Sequence, residues 1–245
     1  MIGITIASSE FEELAVKACK RFRQHTGIKK TIIVSTENEK NYAEKLKIYE
    51  LLQRGETMAY FDADLWFIRD ADLSVFENRR EFIACWDPGC KPEYSENHFP
   101  YRDAVTFGIP AEKYFNGGFF VFNERHIKAF KLADKLMRSV SKRSGKKMID
   151  GKPLFDFGEQ STLNYAMIKT GTPVEIISSR YNFMPFACQH VAAERVSAPF
   201  TVHAAGYGWD AKFPDETAGA MKIRALHGME YQYKSDRGDI DFYGV

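Results

Sequence analysis

Three short apolar runs near the start of the chain, Ile2–Ala7, Thr31–Val34 and Thr57–Phe61, alternate with two segments whose apolar residues recur at helical spacing. The first of these segments, Glu10–His25, carries Phe11, Leu14, Ala15, Ala18 and Phe22 at that spacing. Ser8-Ser9 supplies an N-cap before it, and Gly27 ends it. The second, Asn41–Leu52, is closed by Gly55 and leads straight into the third run. A β-α-β-α-β order predicts parallel strands joined by right-handed crossovers. Ligands of such sheets collect at the carboxyl ends of the strands.

The third run ends at such a place, in Asp62-Ala63-Asp64, before Leu65-Trp66-Phe67-Ile68 resumes the apolar pattern. Two short carboxylates one residue apart, where a buried strand meets solvent, are badly placed for a core. They are well placed to reach one hard divalent cation. A charged strand-to-loop turn gives the same spelling, because Asp is common where strands stop.

The 245 residues suit one large domain that can bury a substantial core. Hydrophobic content of 44% and charged content of 27% are the balance of a globular protein in water. A net charge of +1 argues against a global polyanion-binding field but leaves room for a local basic patch. Cys19, Cys85, Cys90 and Cys188 fit neither a zinc ribbon nor a dense disulfide framework. Cys85 and Cys90 could pair across a loop, and free thiols in a reducing compartment are the default expectation. The amino-terminal run lacks the basic flank of a signal peptide, and no apolar stretch approaches the ~20 residues of a spanning helix. A cytoplasmic protein with no membrane partner is expected.

Further along, Phe82–Trp86 reads as a strand and Asp87–Lys113 as a long loop bearing prolines and aromatics. Phe119–Phe122 is an apolar strand entered through Asn116-Gly117-Gly118. Glu124–Val140 and Gln160–Lys169 are helices, and Val174–Ile177 and Thr201–Ala204 are strands. No repeat, low-complexity tract or composition break marks a second domain.

Five collinear segments carry a resemblance. They are Ile4-Thr5-Ile6-Ala7, then Lys45-Leu46-Lys47-Ile48-Tyr49-Glu50-Leu51, then Tyr60-Phe61-Asp62-Ala63-Asp64. After these come Phe115 to Asn123 (FNGGFFVFN), and Glu159-Gln160-Ser161-Thr162-Leu163-Asn164 followed downstream by His203. In this order the chain resembles a GT-A glycosyltransferase, nearest in pattern to the retaining glycosyltransferase family 8, the group of glycogenin and bacterial galactosyltransferases. The resemblance covers residues 1 to 212. It implies an α/β fold with a mixed, mainly parallel central sheet in a single domain. Residues 1–115 would be the nucleotide-binding half and residues 116–245 the sugar and acceptor half.

The resemblance also implies a reaction: transfer of a sugar from a nucleotide-diphosphate donor, with UDP the family expectation, to an acceptor hydroxyl with retention of configuration. Asp62, Asp64 and His203 would hold Mn²⁺ or Mg²⁺, which clamps the diphosphate as charge grows on the leaving group. Ala7 and Ser8 would meet the nucleotide, Lys45 would be a second cation beside the donor, and Gly206, Gly208 and Lys212 would meet the phosphates. The spacing after His203 departs from the family's tighter His-x-x-Gly-x-x-Lys-Pro pattern. Asn116 and Gly117 belong to a turn beneath the donor sugar, where glycine lets the backbone approach a ligand. Glu159 would hold sugar hydroxyls and Gln160 would lie near the anomeric carbon. Glu stands where the family has Asp, and a first-turn helix carboxylate favoured by the helix dipole explains it equally.

An inverting enzyme would instead need a carboxylate base, for which Asp156 and Glu159 are the candidates. Trp86, Tyr94, His98, Phe99, Tyr101 and Arg102 are available to an acceptor. The basic stretch Arg138–Lys152 reads as a solvated loop, or as a phosphate-binding patch suited to a modified nucleic-acid base. A haloacid-dehalogenase-type phosphatase, a nucleotidyltransferase and a non-catalytic sugar-nucleotide-binding module are the competing readings. The first expects its Asp-x-Asp near the amino terminus, the second a glycine-rich basic signature after the first strand, and the third has no need of three metal ligands.

Overall fold

β1 (Ile2–Ser8), α1 (Glu12–Thr26), β2 (Thr31–Thr36) and β3 (Thr57–Phe61) follow the predicted alternation. They belong to a computed structural model that describes residues 1–37, 42–90, 98–143, 146–155, 158–185, 196–205 and 217–234. β1 runs parallel to both β2 and β3, with Ile4 opposite Ile32 on one side and Tyr60 on the other. Gly27, at φ +70°, ends α1 and returns its N–H to the Arg23 carbonyl. The second connection departs from expectation, because Tyr42–Leu51 winds as a 3₁₀ helix. At three residues per turn Lys45 and Ile48 fall on one line, and both are buried.

β4 (Leu65–Phe67) leaves the sheet directly after the aspartate pair, and β5 (Phe82–Trp86) returns to it. The expected long loop at Asp87–Lys113 contains instead a nine-residue helix, α2 (Phe99–Phe107), and short 3₁₀ turns at Pro88–Cys90 and Ala111–Lys113. Pro100 sits in the first turn of α2, where a missing N–H costs nothing, and Gly108 at φ +68° stops it. So short a helix, with a proline inside, has too few apolar repeats to stand out from a loop.

β6 (Phe115–Asn123) is longer than the predicted strand and runs antiparallel between β3 and β5. α3 (Ile127–Arg138) follows a capping 3₁₀ turn at Glu124–His126. The basic stretch, expected to be a loop, forms a small antiparallel meander of β7 (Ser141–Arg143), β8 (Lys146–Ile149) and β9 (Lys152–Leu154), in which Met148 faces both Ser141 and Pro153. Ile149 and Leu154 are the buried apolar residues that seat it. The remaining elements are α4 (Glu159–Thr170), β10 (Val174–Ile177), β11 (Thr201–His203) and α5 (Ala218–Lys234). The sequence does not announce α5, because Gly219 and Gly228 interrupt its helical spelling.

The six-stranded sheet has the order β10-β5-β6-β3-β1-β2. All strands but β6 run the same way, so the ends of β1, β3 and β5 and the start of β6 meet at one edge. The central strands read as continuous apolar runs because both faces are covered. Phe61, Phe119 and Val121 pack on one side with Phe22 of α1 and with Leu226 and Met229 of α5. Tyr60, Phe120 and Phe122 pack on the other with Phe130 of α3, Leu163 of α4 and Leu46. Among the described residues, no helix is long and apolar enough to cross a membrane.

Candidate active site

The edge where β3 ends and β6 begins is built around a break in register. Ile83 and Ala84 of β5 face Val121 and Phe120, but Cys85 faces Asn116, so Gly117, Gly118 and Phe119 are skipped in that pairing. A bulge of this kind re-aims the strand. On the other side of β6, the Gly118 carbonyl accepts the Asp62 N–H at 2.9 Å, which fixes the start of the aspartate pair. The short strand β11 then pairs antiparallel with β4, setting His203 opposite Leu65, and Ala204 donates its N–H to the Asp64 carbonyl at 2.9 Å.

Asp62, Asp64 and His203 thereby offer ligand atoms that all lie within 4.8 Å of one another. His203 Nε2 is 3.2 Å from Asp64 Oδ1 and 3.7 Å from Asp62 Oδ2. The ring is oriented by a chain of hydrogen bonds that starts at a backbone N–H, which can only donate. Gly118 N–H donates to Asn116 Oδ1 at 2.8 Å, so the Asn116 amide nitrogen faces Asp87 Oδ2 at 3.0 Å. Asn182 Nδ2 must then donate to Asn116 Oδ1 at 2.9 Å, which turns Asn182 Oδ1 to His203 Nδ1 at 2.7 Å. Nδ1 is therefore the protonated nitrogen, and in the neutral ring Nε2 presents its lone pair to the two carboxylates. The lone pair and the two carboxylates thus converge on one small space. The donor set of carboxylate oxygens and imidazole nitrogen fits Mn²⁺ or Mg²⁺.

Each aspartate also has its own buried lysine. Lys45 Nζ lies 3.0 Å from Asp62 Oδ1 and 3.8 Å from Glu159 Oε1, and donates to the Gly117 carbonyl at 3.2 Å. Burial alone would lower the Lys45 pKa, but Asp62, Glu159 and Asp64 outweigh it and hold the ammonium above its usual value. Lys222 of α5 pairs with Asp64 Oδ2 and donates to the Ala204 carbonyl at 3.3 Å. Burial would raise the Asp64 pKa, yet the Lys222 ammonium beside it holds it far below the ordinary carboxylate range. Tyr60, two residues before Asp62 and so on the same face of β3, donates its hydroxyl to Asp62 Oδ1 at 2.5 Å. Burial and that carboxylate push the phenol well above its normal range.

Glu159 and Gln160 occupy the first turn of α4, entered through Gly158 at φ +100°. Glu159 is buried, which raises its carboxyl pKa against the pull of Lys45, and its Oε2 has no hydrogen-bond partner among the described residues. Gln160 Oε1 accepts from the Gly117 N–H at 2.8 Å while its Nε2 donates to Asp87 Oδ2 at 2.8 Å. Asp87 thus ties Asn116, Gln160 and the Gly89 N–H together, and burial raises its pKa despite these donors. Gly118 must be glycine, since a Cβ there would lie 2.5 Å from His203 Cε1; a Cβ on Gly117 would lie 3.4 Å from Lys45 Nζ.

The expected site residues Lys45, Asp62, Asp64, Asn116, Gly117, Glu159, Gln160 and His203 are therefore brought together. Asn116 and Gln160 spend their amides on the protein. Ala7 and Ser8 end β1 at the same edge, and the buried Ser8 hydroxyl has no partner among the described residues. Gly206, Gly208, Lys212, Asp156 and Tyr94 lie outside the described residues. Of the acceptor candidates, Trp86 is pinned by its indole N–H to the Ala111 carbonyl at 2.8 Å, Arg102 stacks over Phe155 at 3.8 Å, and Phe99 is exposed. Sequence reasoning missed Lys222, Asn182 and the bridging role of Asp87. Asp87 had a signal, since it follows a strand at the same edge. Lys222 and Asn182 had none.

No protein-family model and no curated protein sequence matches the chain. Among solved structures, the galactosyltransferase LgtC in complex with donor and acceptor sugar analogues superposes with a TM-score of 0.59 at 16% identity, over 94% of this chain and 96% of that one. An active-site mutant of LgtC gives the same values. The bifunctional glycosyltransferase WbbM, in its apo form, gives a TM-score of 0.54 at 13% identity over 93% of this chain and 44% of its own. The fold is that of the GT-A glycosyltransferases, as the resemblance implies.

Proposed function

We propose that this protein is a metal-dependent glycosyltransferase that moves a sugar from a nucleotide diphosphate, UDP by family expectation, to an acceptor hydroxyl with retention of configuration. The observation that carries this reading is the convergence of Asp62, Asp64 and an oriented His203 at the carboxyl edge of the sheet. A divalent cation bound by these three residues would neutralise charge on the departing diphosphate. Lys45 adds a fixed positive charge beside it. Ala7 and Ser8, with residues 35–37 after Val34, would hold the nucleotide, and the Ser8 hydroxyl, without a partner among the described residues, suits a ligand contact.

Glu159 is the group best suited to grip the donor sugar, because a buried oxygen without a partner is costly until a hydroxyl donates to it. Gln160, clamped between Gly117 and Asp87, is rigid and lines the same turn. No base on the opposite face is needed if the leaving phosphate oxygen accepts the acceptor's proton. Buried Cys19, which has no disulfide partner among the described residues, fits a reducing, cytoplasmic setting.

The test is donor hydrolysis: purified protein with Mn²⁺ and a panel of UDP-sugars, the released UDP quantified. Turnover of at least one donor is expected. It should vanish on chelation and in Asp64→Ala, while Glu159→Gln should lose most activity with its fold intact. An Asp64→Ala variant with unchanged turnover would refute the metal-site assignment.

A further inference from the structure

Asp64 divides its two oxygens between a proposed metal ligand and a cation of the protein itself. Oδ1 faces His203 Nε2, and Oδ2 is paired with Lys222. Lys222 is buried, so little water hydrates its ammonium, and among the described residues Asp64 is its only carboxylate partner. Lys45 differs, because it keeps Glu159 if Asp62 turns away. Nor can Lys222 withdraw with its helix. The start of α5 is tied to the turn after β1 by the Ala218 N–H to Glu10 Oε1 at 3.1 Å. There Gly219 lies so close that a Cβ would sit 2.6 Å from the Glu10 carbonyl oxygen. Leu226 and Met229 anchor the rest of the helix in the core.

We propose that Lys222 competes with a divalent cation for Asp64, and yields it only where the diphosphate of a nucleotide donor takes over the ammonium. The physical ground is charge balance. Two carboxylates already shared by two buried ammoniums are a poor site for a further double positive charge. A buried ammonium stripped of its carboxylate partner is strongly unfavourable. A diphosphate bound beside Asp64 at the sheet edge would supply the missing negative charge, so cation and diphosphate load together. This inference rests on the donor-site reading given above and adds the residue that couples the two ligands.

The experiment reads free Mn²⁺ by its electron paramagnetic resonance signal as full-length protein is titrated, with and without UDP. Wild type should bind Mn²⁺ alone weakly, and UDP should tighten it about tenfold or more. Lys222→Met, which keeps the buried stem and removes the charge, should bind Mn²⁺ alone about tenfold tighter than wild type and lose most of the UDP effect. Lys222→Arg, which keeps the charge, should behave as wild type and guards against a folding artefact in the Met variant. Equal Mn²⁺ affinity in wild type and Lys222→Met, with binding abolished in Asp64→Asn, would overturn the role of Lys222 and leave the metal site standing. No Mn²⁺ binding by any variant, UDP present or absent, would overturn both.

Discussion

Asn182 is not among the proposed metal ligands, yet the orientation of His203 passes through it. Its amide is held between Asn116 Oδ1 and His203 Nδ1, and Asn116 is itself fixed by the Gly118 N–H. Removing such an outer partner typically lowers metal affinity about 10–100-fold. Asn182→Ala should therefore weaken Mn²⁺ binding by that order while the circular dichroism spectrum stays unchanged, and an unaltered affinity would show that the ring needs no such support. Gly118→Ala is the steric counterpart. Its methyl would press on His203 at 2.5 Å, with strand backbone on one side and a buried ring on the other. Loss of Mn²⁺ binding in a folded protein is the expected result, by the same titration.

At the scale of elements, the turn between β6 and α3 carries a pH dependence of stability. His126 is buried, its Nδ1 accepts the Asn123 N–H at 3.0 Å, and its Nε2 therefore donates to the Arg80 carbonyl at 3.1 Å. A proton on Nδ1 would break the first of these bonds. Burial likewise holds the ring below its usual pKa. The unfolded chain then takes up the proton first, so this contribution is present above the unfolded value of about 6.5 and is lost as pH falls below it. Denaturant midpoints measured from pH 7.5 down to 5.5 should fall for wild type. His126→Gln should be less stable at the upper end with a shallower slope, and parallel slopes would exclude His126 as a source. The same elements show what a sequence conveys. Helices α1, α3 and α4 were legible because their apolar residues repeat at helical spacing, and strands β3, β5 and β10 because each is a short, mostly apolar run. The 3₁₀ winding of Tyr42–Leu51, the short α2 and the glycine-interrupted α5 were not, because their local patterns are shared with other states and packing decides among them.

For the molecule as a whole, α5 matters out of proportion to its place late in the chain. It closes one face of the sheet over α1, with Arg21 paired to Glu230 and stacked on Trp66 at 4.4 Å. Leu226 is fully buried at that seam. Leu226→Ala should cost about 2–5 kcal/mol, read as a lowered denaturant midpoint; a change well under that would mean that the helix packs loosely. The sequence by itself determined the alternation of strands and helices, the position of the aspartate pair at a strand end, and the set of residues from Lys45 to His203 that form the candidate site. The alternation and the place of the pair follow from spacings of a few residues, which backbone geometry translates into faces and ends; the set from Lys45 to His203 came from the family resemblance. Only the tertiary structure decided that β6 enters between β3 and β5, that Asn182 aims His203, and that Lys222 reaches Asp64 across 158 residues. Such contacts are set by strand register and by the docking of one apolar face on another, and neither leaves a local period in the chain.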